Sequence, residues 1–211
     1  MSTWTSKAGC LALSLLIAAC QQLPGTLTLP PGQARAMAVL GGAITVAAPQ
    51  GYCIDRKSAR QQEDGAVVLI GRCSGGSQAS PAVISVTTAA AGSAGVLAGG
   101  GAALLQFFQS AEGRAALSRT GQANTVRLLA ASESSGAIIL QIADADAPPY
   151  WRAVLGISGR LVTLSVQGDG QTVMPPAIGR RLLTATISAL RAANPKPPPG
   201  PAVEALQKAA G

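Results

Sequence analysis

Short apolar runs separated by turn residues characterise the chain from residue 42 onwards. Their length and their content of Val, Ile and Thr are typical of β-strands. We expect strands at 43–47, 52–54, 66–71, 82–88, 125–130, 137–143, 150–155 and 160–167. The turn 156–159 joins the last two into the clearest hairpin, whose second strand points Val162, Leu164 and Val166 to one side.

Two segments carry apolar residues at helical spacing instead. The segment 102–119 has such a stripe, although Gly113 weakens it, and the segment 176–193 has a broader one. Between the strands and the first helix, residues 89–101 are almost wholly Ala, Gly and Ser and are predicted to form a loop. The order of elements predicts an α+β domain, with a mainly antiparallel sheet of about six to seven strands covered by two helices.

The first nineteen residues have the composition of an export signal. Lys7 is their only charged side chain, and the run 10–19 is too short to span a bilayer, which needs about 20 residues. The run leads into Ile-Ala-Ala-Cys at 17–20, which resembles the bacterial lipobox. The resemblance implies cleavage after Ala19, a diacylglycerol thioether on Cys20 and a fatty-acyl chain such as palmitate on the new amine. An ordinary secretory signal and an uncleaved anchor are the alternatives.

These features divide the chain into four parts. They are a lipoprotein signal peptide at 1–19, a lipid-attached tether at 20–41, a single domain at 42–194 and a Pro-rich tail at 195–211, in which a short helix can form. A lipid on Cys20 places the protein in the cell envelope, anchored to a membrane and facing the periplasm. Residue 21 is Gln, and resemblance to enterobacterial sorting favours the outer membrane.

The cysteines predict one disulfide. The lipobox resemblance implies that Cys10 leaves with the signal peptide and that Cys20 carries the lipid, which leaves Cys53 and Cys73 in an oxidising compartment. We expect them to pair. Two cysteines without histidine cannot complete a zinc site, and their spacing is not that of a CxxC redox motif.

Composition narrows the chemistry. The full sequence contains no histidine, which excludes Ser-His-Asp and Cys-His catalysis and His-ligated metals. The net charge of +7 is spread without a dense basic patch, and aromatic residues make up only 3%. We therefore predict a mildly basic surface and no nucleic-acid partner. We also predict no catalytic residue, no metal and no cofactor.

One strand carries a candidate interaction patch. Tyr150 and Arg152 point to the same side of the strand at 150–155, and Trp151 points to the other. Aromatic and arginine side chains are favoured at interfaces, so Tyr150 and Arg152 could form a recognition patch. In the plainer interpretation, Trp151 lies in the core and Arg152 stands on the outer face.

Two weaker constellations have plain explanations. Asp144 and Asp146 could both face one way and bind calcium or exchange protons, although an acidic turn before two prolines is usually a solvated one. The glycines at 99–101 precede a helix and could cradle a phosphate, but they lack a Walker lysine and favour a hinge.

The order of elements resembles a known fold group. A first strand leads through Pro-Gln-Gly-Tyr at 49–52 to further strands, a helix, a hairpin and a closing helix, as in the PsbP-like and DcrB-like proteins, over about 42–193. The resemblance implies an α/β/α sandwich that serves binding or assembly, and it carries over no catalytic residues. The whole chain is also similar to uncharacterised lipoproteins of alphaproteobacteria, on residues 51–55 and 150–155.

Three functions fit these features. The favoured one is a non-catalytic binding or assembly module, anchored to the membrane by its lipid and with an envelope protein as a candidate partner. The second is an envelope structural protein whose segment 195–201 and terminal helix contact peptidoglycan or a membrane complex. The third is a hydrolase that works without histidine, through carboxylates or a serine.

Overall fold

The computed structural model describes residues 29–75, 77–145, 147–171 and 173–196. The predicted signal peptide at 1–19, the lipidation site Cys20 and residues 197–211 of the predicted tail lie outside the described residues. Their assignments stay predictions. In the described part of the chain, no helix is both long enough and apolar enough to cross a membrane.

In the described ranges, nine strands form one sheet and two others form a separate hairpin. In chain order the strands are β1 (Gln33–Ala34), β2 (Ala36–Val39), β3 (Ile44–Ala47), β4 (Tyr52–Asp55), β5 (Arg60–Gln62), β6 (Gly65–Arg72), β7 (Val83–Ala91), β8 (Val126–Ser134), β9 (Ala137–Asp144), β10 (Ala147–Ile157) and β11 (Arg160–Gln167). The large sheet has the order β1-β4-β6-β7-β11-β10-β9-β8, with β5 beside β6, and β2 pairs with β3. These pairs are antiparallel. The α+β class is confirmed, but the sheet has nine strands rather than six to seven.

The described residues form three α-helices, one more than predicted. They are α1 (Gly101–Gln109), α2 (Ala111–Leu117) and α3 (Pro176–Ala193). The helix α3 has the predicted bounds and begins at Pro176, where a missing N–H costs no hydrogen bond. The prediction of one helix over 102–119 was wrong, because the chain is extended at Ser110. The Ser110 Oγ accepts a hydrogen bond from the Gly113 N–H (3.1 Å) and so caps α2.

The two faces of the sheet are covered to different extents. On the α3 face, Ile139 and Leu164 belong to a core completed by α3 and by the β2–β3 hairpin. On the α1–α2 face, Leu140 and Val154 pack with α1 and α2, which lie mainly over β8 and β9. Among the described residues, α1 and α2 do not extend over β6 on this face, and Val67 there is 38% exposed.

Two segments predicted as tether or loop contain regular structure. In the predicted tether 20–41, β1 pairs with β4 and β2 pairs with β3, so the fold begins before residue 42. In the predicted loop 89–101, β7 continues to Ala91 and a 3₁₀ segment follows at Ser93–Gly99. Strands of two to four residues and runs of small residues carry too little periodicity to be recognised from sequence.

The predicted disulfide between Cys53 and Cys73 is confirmed. Cys53 lies in β4, and Cys73 directly follows β6, its antiparallel neighbour. Their Cα atoms are 4.9 Å apart, and 20 residues of sequence separate them. The bond therefore ties together two strands near one end of the sheet.

Candidate functional site

A groove lies between α1–α2 and the floor formed by β10 and β11. Its volume is about 440 Å³. Apolar side chains form most of its wall, and two polar side chains reach it from the floor. The apolar side chains include Val96, Leu104, Phe107, Phe108 and Leu161, and the polar ones are Arg152 and Thr163. We call it the Arg152 groove. Its size and its mostly apolar wall with few polar groups are those of a small-molecule site.

Strand alternation builds the floor of the groove. Side chains of β10 at even numbers and of β11 at odd numbers point to the α1–α2 face, while their neighbours enter the core on the other face. The register pairs Arg152 with Ser165 and Val154 with Thr163. The next pair on the same face places Leu161 opposite Gly156. The floor thus changes from charged to apolar along the strands.

Arg152 is held in place by two uncharged neighbours. Its Nε donates a hydrogen bond to the Ser165 Oγ (3.2 Å). Its guanidinium carbon lies 5.3 Å from the centroid of the Tyr150 ring, within the range of a cation–π contact. Neither neighbour brings a formal negative charge to the guanidinium, so these two contacts leave its positive charge unbalanced.

Tyr150 does not form the exposed half of the predicted patch. It is 4% exposed, and its hydroxyl donates to the Leu117 carbonyl at the end of α2 (3.2 Å). Alternation places Tyr150 beside Arg152 as predicted, but α2 covers the ring. Tyr150 is therefore a buried neighbour that packs against Arg152. Recognition of a partner through Tyr150 and Arg152 stays a prediction.

Trp151 lies in the core of the opposite face, as the plainer interpretation expects. It is 6% exposed and packs among the residues that meet α3. The guanidinium carbon of Arg180, on α3, lies 5.9 Å from its ring. Gly179 is required beneath it, since a Cβ at that position would come within 2.5 Å of the Trp151 ring. Trp151 is therefore a packing residue.

The roof of the groove comes from the predicted loop at 89–101 and from the start of the predicted helix at 102–119. The 3₁₀ segment that contains Val96 is attached to β11, because the Ser93 Oγ accepts a hydrogen bond from the Leu161 N–H (2.8 Å). Val96 is 60% exposed and Phe107 is 37% exposed. The predicted stripe of the segment 102–119 contains Leu104, Leu105 and Phe108 and leaves out Phe107, so an aromatic residue outside the stripe was the available signal.

The other candidate sites find structural explanations. Asp144 is buried, and its Oδ2 accepts a hydrogen bond from the Arg119 N–H (3.2 Å), whereas Asp146 lies outside the described residues. Within the ranges that the structure describes, no group of His, Cys, Asp and Glu could hold a metal ion. Gly101, in the predicted glycine hinge, lies directly against the Glu133 carboxylate. An acidic side chain, rather than a phosphate, therefore faces the start of α1.

Burial affects both tyrosines of the chain. It raises the pKa of Tyr150 above its ordinary value of 10.0, and the charge of Arg152 opposes part of the rise. Burial raises the pKa of Tyr52 in the same way, opposed by Arg72. Because the folded pKa values are raised, folding favours the neutral phenols. Their contribution to stability is complete below pH about 10 and is lost as the pH rises through the folded pKa values.

We therefore expect tyrosine ionisation to accompany alkaline unfolding. At pH just above 10, Tyr52 and Tyr150 should remain neutral while the fold is intact, and phenolate should form as the fold is lost. Ultraviolet absorbance of the phenolate, recorded alongside circular dichroism, measures both events. Phenolate that forms near pH 10 with the circular dichroism unchanged would contradict this prediction.

Comparison with known proteins adds no relative. No family model, curated protein or solved structure matches the chain. The assignments to a lipoprotein family and to the PsbP-like fold group therefore stay predictions.

Proposed function

We propose that this chain is a lipid-anchored protein of the bacterial cell envelope, which faces the periplasm and binds a ligand or partner without catalysing a reaction. The sequence Ile-Ala-Ala-Cys at 17–20 supports the anchor. Two or more acyl chains on Cys20 would attach the chain durably, since each buried methylene contributes about 0.8 kcal/mol. With Gln at position 21, the outer membrane is the favoured location.

The disulfide supports an exported location. Disulfides persist in oxidising compartments such as the periplasm and are rare in the cytosol. Cys53 and Cys73 are brought together by neighbouring strands, at the close Cα separation that a disulfide requires. This agrees with a chain that leaves the cytosol before it completes its fold.

The Arg152 groove is the observation that carries the binding function. It combines an apolar wall with one positively charged group, and Ser165 and Tyr150 hold that group in place. Such a site can bind and orient a ligand through apolar contact and charge. The absence of histidine from the full sequence removes the commonest general base, which favours binding over hydrolysis.

We also propose a relationship to the PsbP-like α/β/α sandwich. In support, the chain has α1 and α2 on one face of an antiparallel sheet and α3 on the other. The closing helix α3 follows the β10–β11 hairpin, in the order typical of that fold group. The sheet of nine strands and the three helices differ from the six to seven strands and two helices that we predicted.

A charge placed in the wall of the groove tests the binding function. The full chain, extracted in mild detergent from its native membranes and affinity-purified, should carry a bound component that mass spectrometry detects. In Phe107→Asp the amount should fall about tenfold, because a carboxylate replaces an apolar surface at the ligand. Leu129→Asp is the matched control, since Leu129 is 45% exposed and lies on β8, away from the groove. Equal recovery from both variants would contradict the proposal.

A further inference from the structure

We infer that the Arg152 groove binds a single-chain amphiphile with a carboxylate head, of the chemical class of a long-chain fatty acid. This inference rests on the proposed binding function and names the ligand class. The carboxylate would lie on the Arg152 guanidinium, and the acyl chain of the ligand would follow the floor of the groove toward Leu161 and Val96.

The groove has one charged end and one apolar end. Between the level of Arg152 and the level of Leu161, the floor advances four residues along β10, which is about 13 Å. That distance is close to half of the about 30 Å hydrocarbon core of a bilayer, which is the length of one acyl chain. Val154 and Thr163 lie between the two ends, so most of the path is apolar.

Arg152 is oriented to receive a carboxylate. Its Nε is engaged by Ser165, and the ring of Tyr150 lies against the guanidinium. Among the described residues, no side chain or carbonyl accepts a hydrogen bond from its two terminal nitrogens. These nitrogens form the planar fork that binds a carboxylate through two parallel hydrogen bonds. An anionic head would supply the charge that the uncharged neighbours of Arg152 do not.

The volume of the groove favours one chain over two. At about 440 Å³ it lies toward the small end of the range for small-molecule pockets, about 300–1,000 Å³. A phospholipid brings two acyl chains and a larger head. A single-chain carboxylate matches the volume, the length and the one charged group together.

Photolabelling in native membranes tests the ligand class. Membranes that contain the full chain are treated with a photoreactive, alkyne-tagged palmitic acid or with the matching neutral alcohol and are then irradiated. Peptide mass spectrometry identifies the labelled peptides. In the wild type, the acid should label peptides that contain Phe107 or Leu161. In Arg152→Gln, labelling by the acid should fall about tenfold while labelling by the alcohol is unchanged. The alcohol also shows that the variant is folded.

Two further variants sharpen the comparison. Arg180→Gln removes an exposed arginine that also lies over an aromatic ring, but on the opposite face, and it should keep full labelling by the acid. Arg152→Lys keeps the charge without the planar fork, so labelling should fall between the wild type and Arg152→Gln.

The outcomes separate this inference from the proposed function. If Phe107→Asp releases a bound component but Arg152→Gln labels like the wild type with the acid, the carboxylate inference is overturned and binding at the groove stands. If the released component is a protein or a two-chain lipid, the inference is also overturned. If neither probe labels the groove and no component is released, both proposals fall.

Discussion

Replacing Cys53 and Cys73 together by alanine is expected to lower the free energy of unfolding by about 3 kcal/mol. The bond closes a loop over a sequence separation of 20 residues, and its loss lets the unfolded chain gain the entropy that the closure removes. The Cys53 side chain is 2% exposed, so the variant also loses some packing between β4 and the core. The loss is a large fraction of the 5–15 kcal/mol that is typical of a domain.

Denaturant unfolding of a chain that begins at residue 20, followed by the fluorescence of Trp151, measures the effect. The wild type under reducing conditions is the matched control, because it loses the bond and keeps both side chains. Its free energy of unfolding should be lower than that of the oxidised wild type by nearly the same amount as that of the double variant. A loss below about 1 kcal/mol in both cases would show that the disulfide contributes little to this fold.

Replacing Gly113 by alanine is expected to destabilise the fold by about 2 kcal/mol. A Cβ at this position would overlap the Phe107 carbonyl and lie 2.6 Å from the Phe108 Cα, and backbone atoms cannot move aside cheaply. Overpacking of this kind costs about 3 kcal/mol at the upper end of its usual range, and the better helix propensity of alanine returns about 1 kcal/mol. Opening the corner between α1 and α2 would also displace Phe107 and Phe108 in the groove wall.

Gly95→Ala is the control for this prediction. Gly95 lies in the 3₁₀ segment at Ser93–Gly99, and an added Cβ there would meet nothing within 4 Å. We expect the control to be neutral or to stabilise by up to about 1 kcal/mol. Thermal or denaturant unfolding of both variants gives the comparison. The account of the corner is wrong if Gly113→Ala is as stable as Gly95→Ala.

The sequence predicted the elements whose apolar pattern is strong and unbroken. The helix α3 matched its predicted bounds because its wide apolar stripe begins at two prolines and ends before Pro195. The β10–β11 hairpin was found because Val162, Leu164 and Val166 alternate cleanly. Its turn is narrower than predicted, since Ser158 and Gly159 alone connect the strands, both with positive φ.

Other elements depend on partners that are distant in sequence. Gln33–Ala34 becomes a strand only because β4 offers it an edge, and no local periodicity could reveal that pairing. The break at Ser110 depends on a cap and on a close approach at Gly113, where the sequence showed only a weak point in a helix. Small residues at such positions cap a helix or allow two backbone segments to approach closely, and a hydrophobic pattern does not indicate either role.

The sequence predicted part of the floor of the Arg152 groove but not its roof. Alternation placed Arg152 on the face opposite Trp151, and the structure has it there. The same alternation predicted that Tyr150 is exposed, which was wrong, because nothing in the sequence of β10 shows that α2 covers the ring. The roof formed by Val96 and Phe107 brings together elements that sequence spacing alone could not place over one another.

The intact mass of the protein, recovered from the organism that produces it, tests the central claim most directly. We predict a polypeptide that begins at Cys20 and carries the mass of a diacylglycerol and one further acyl chain, with Cys53 and Cys73 oxidised. A chain with residues 1–19 still attached, no added lipid mass and both of those thiols free would contradict the account.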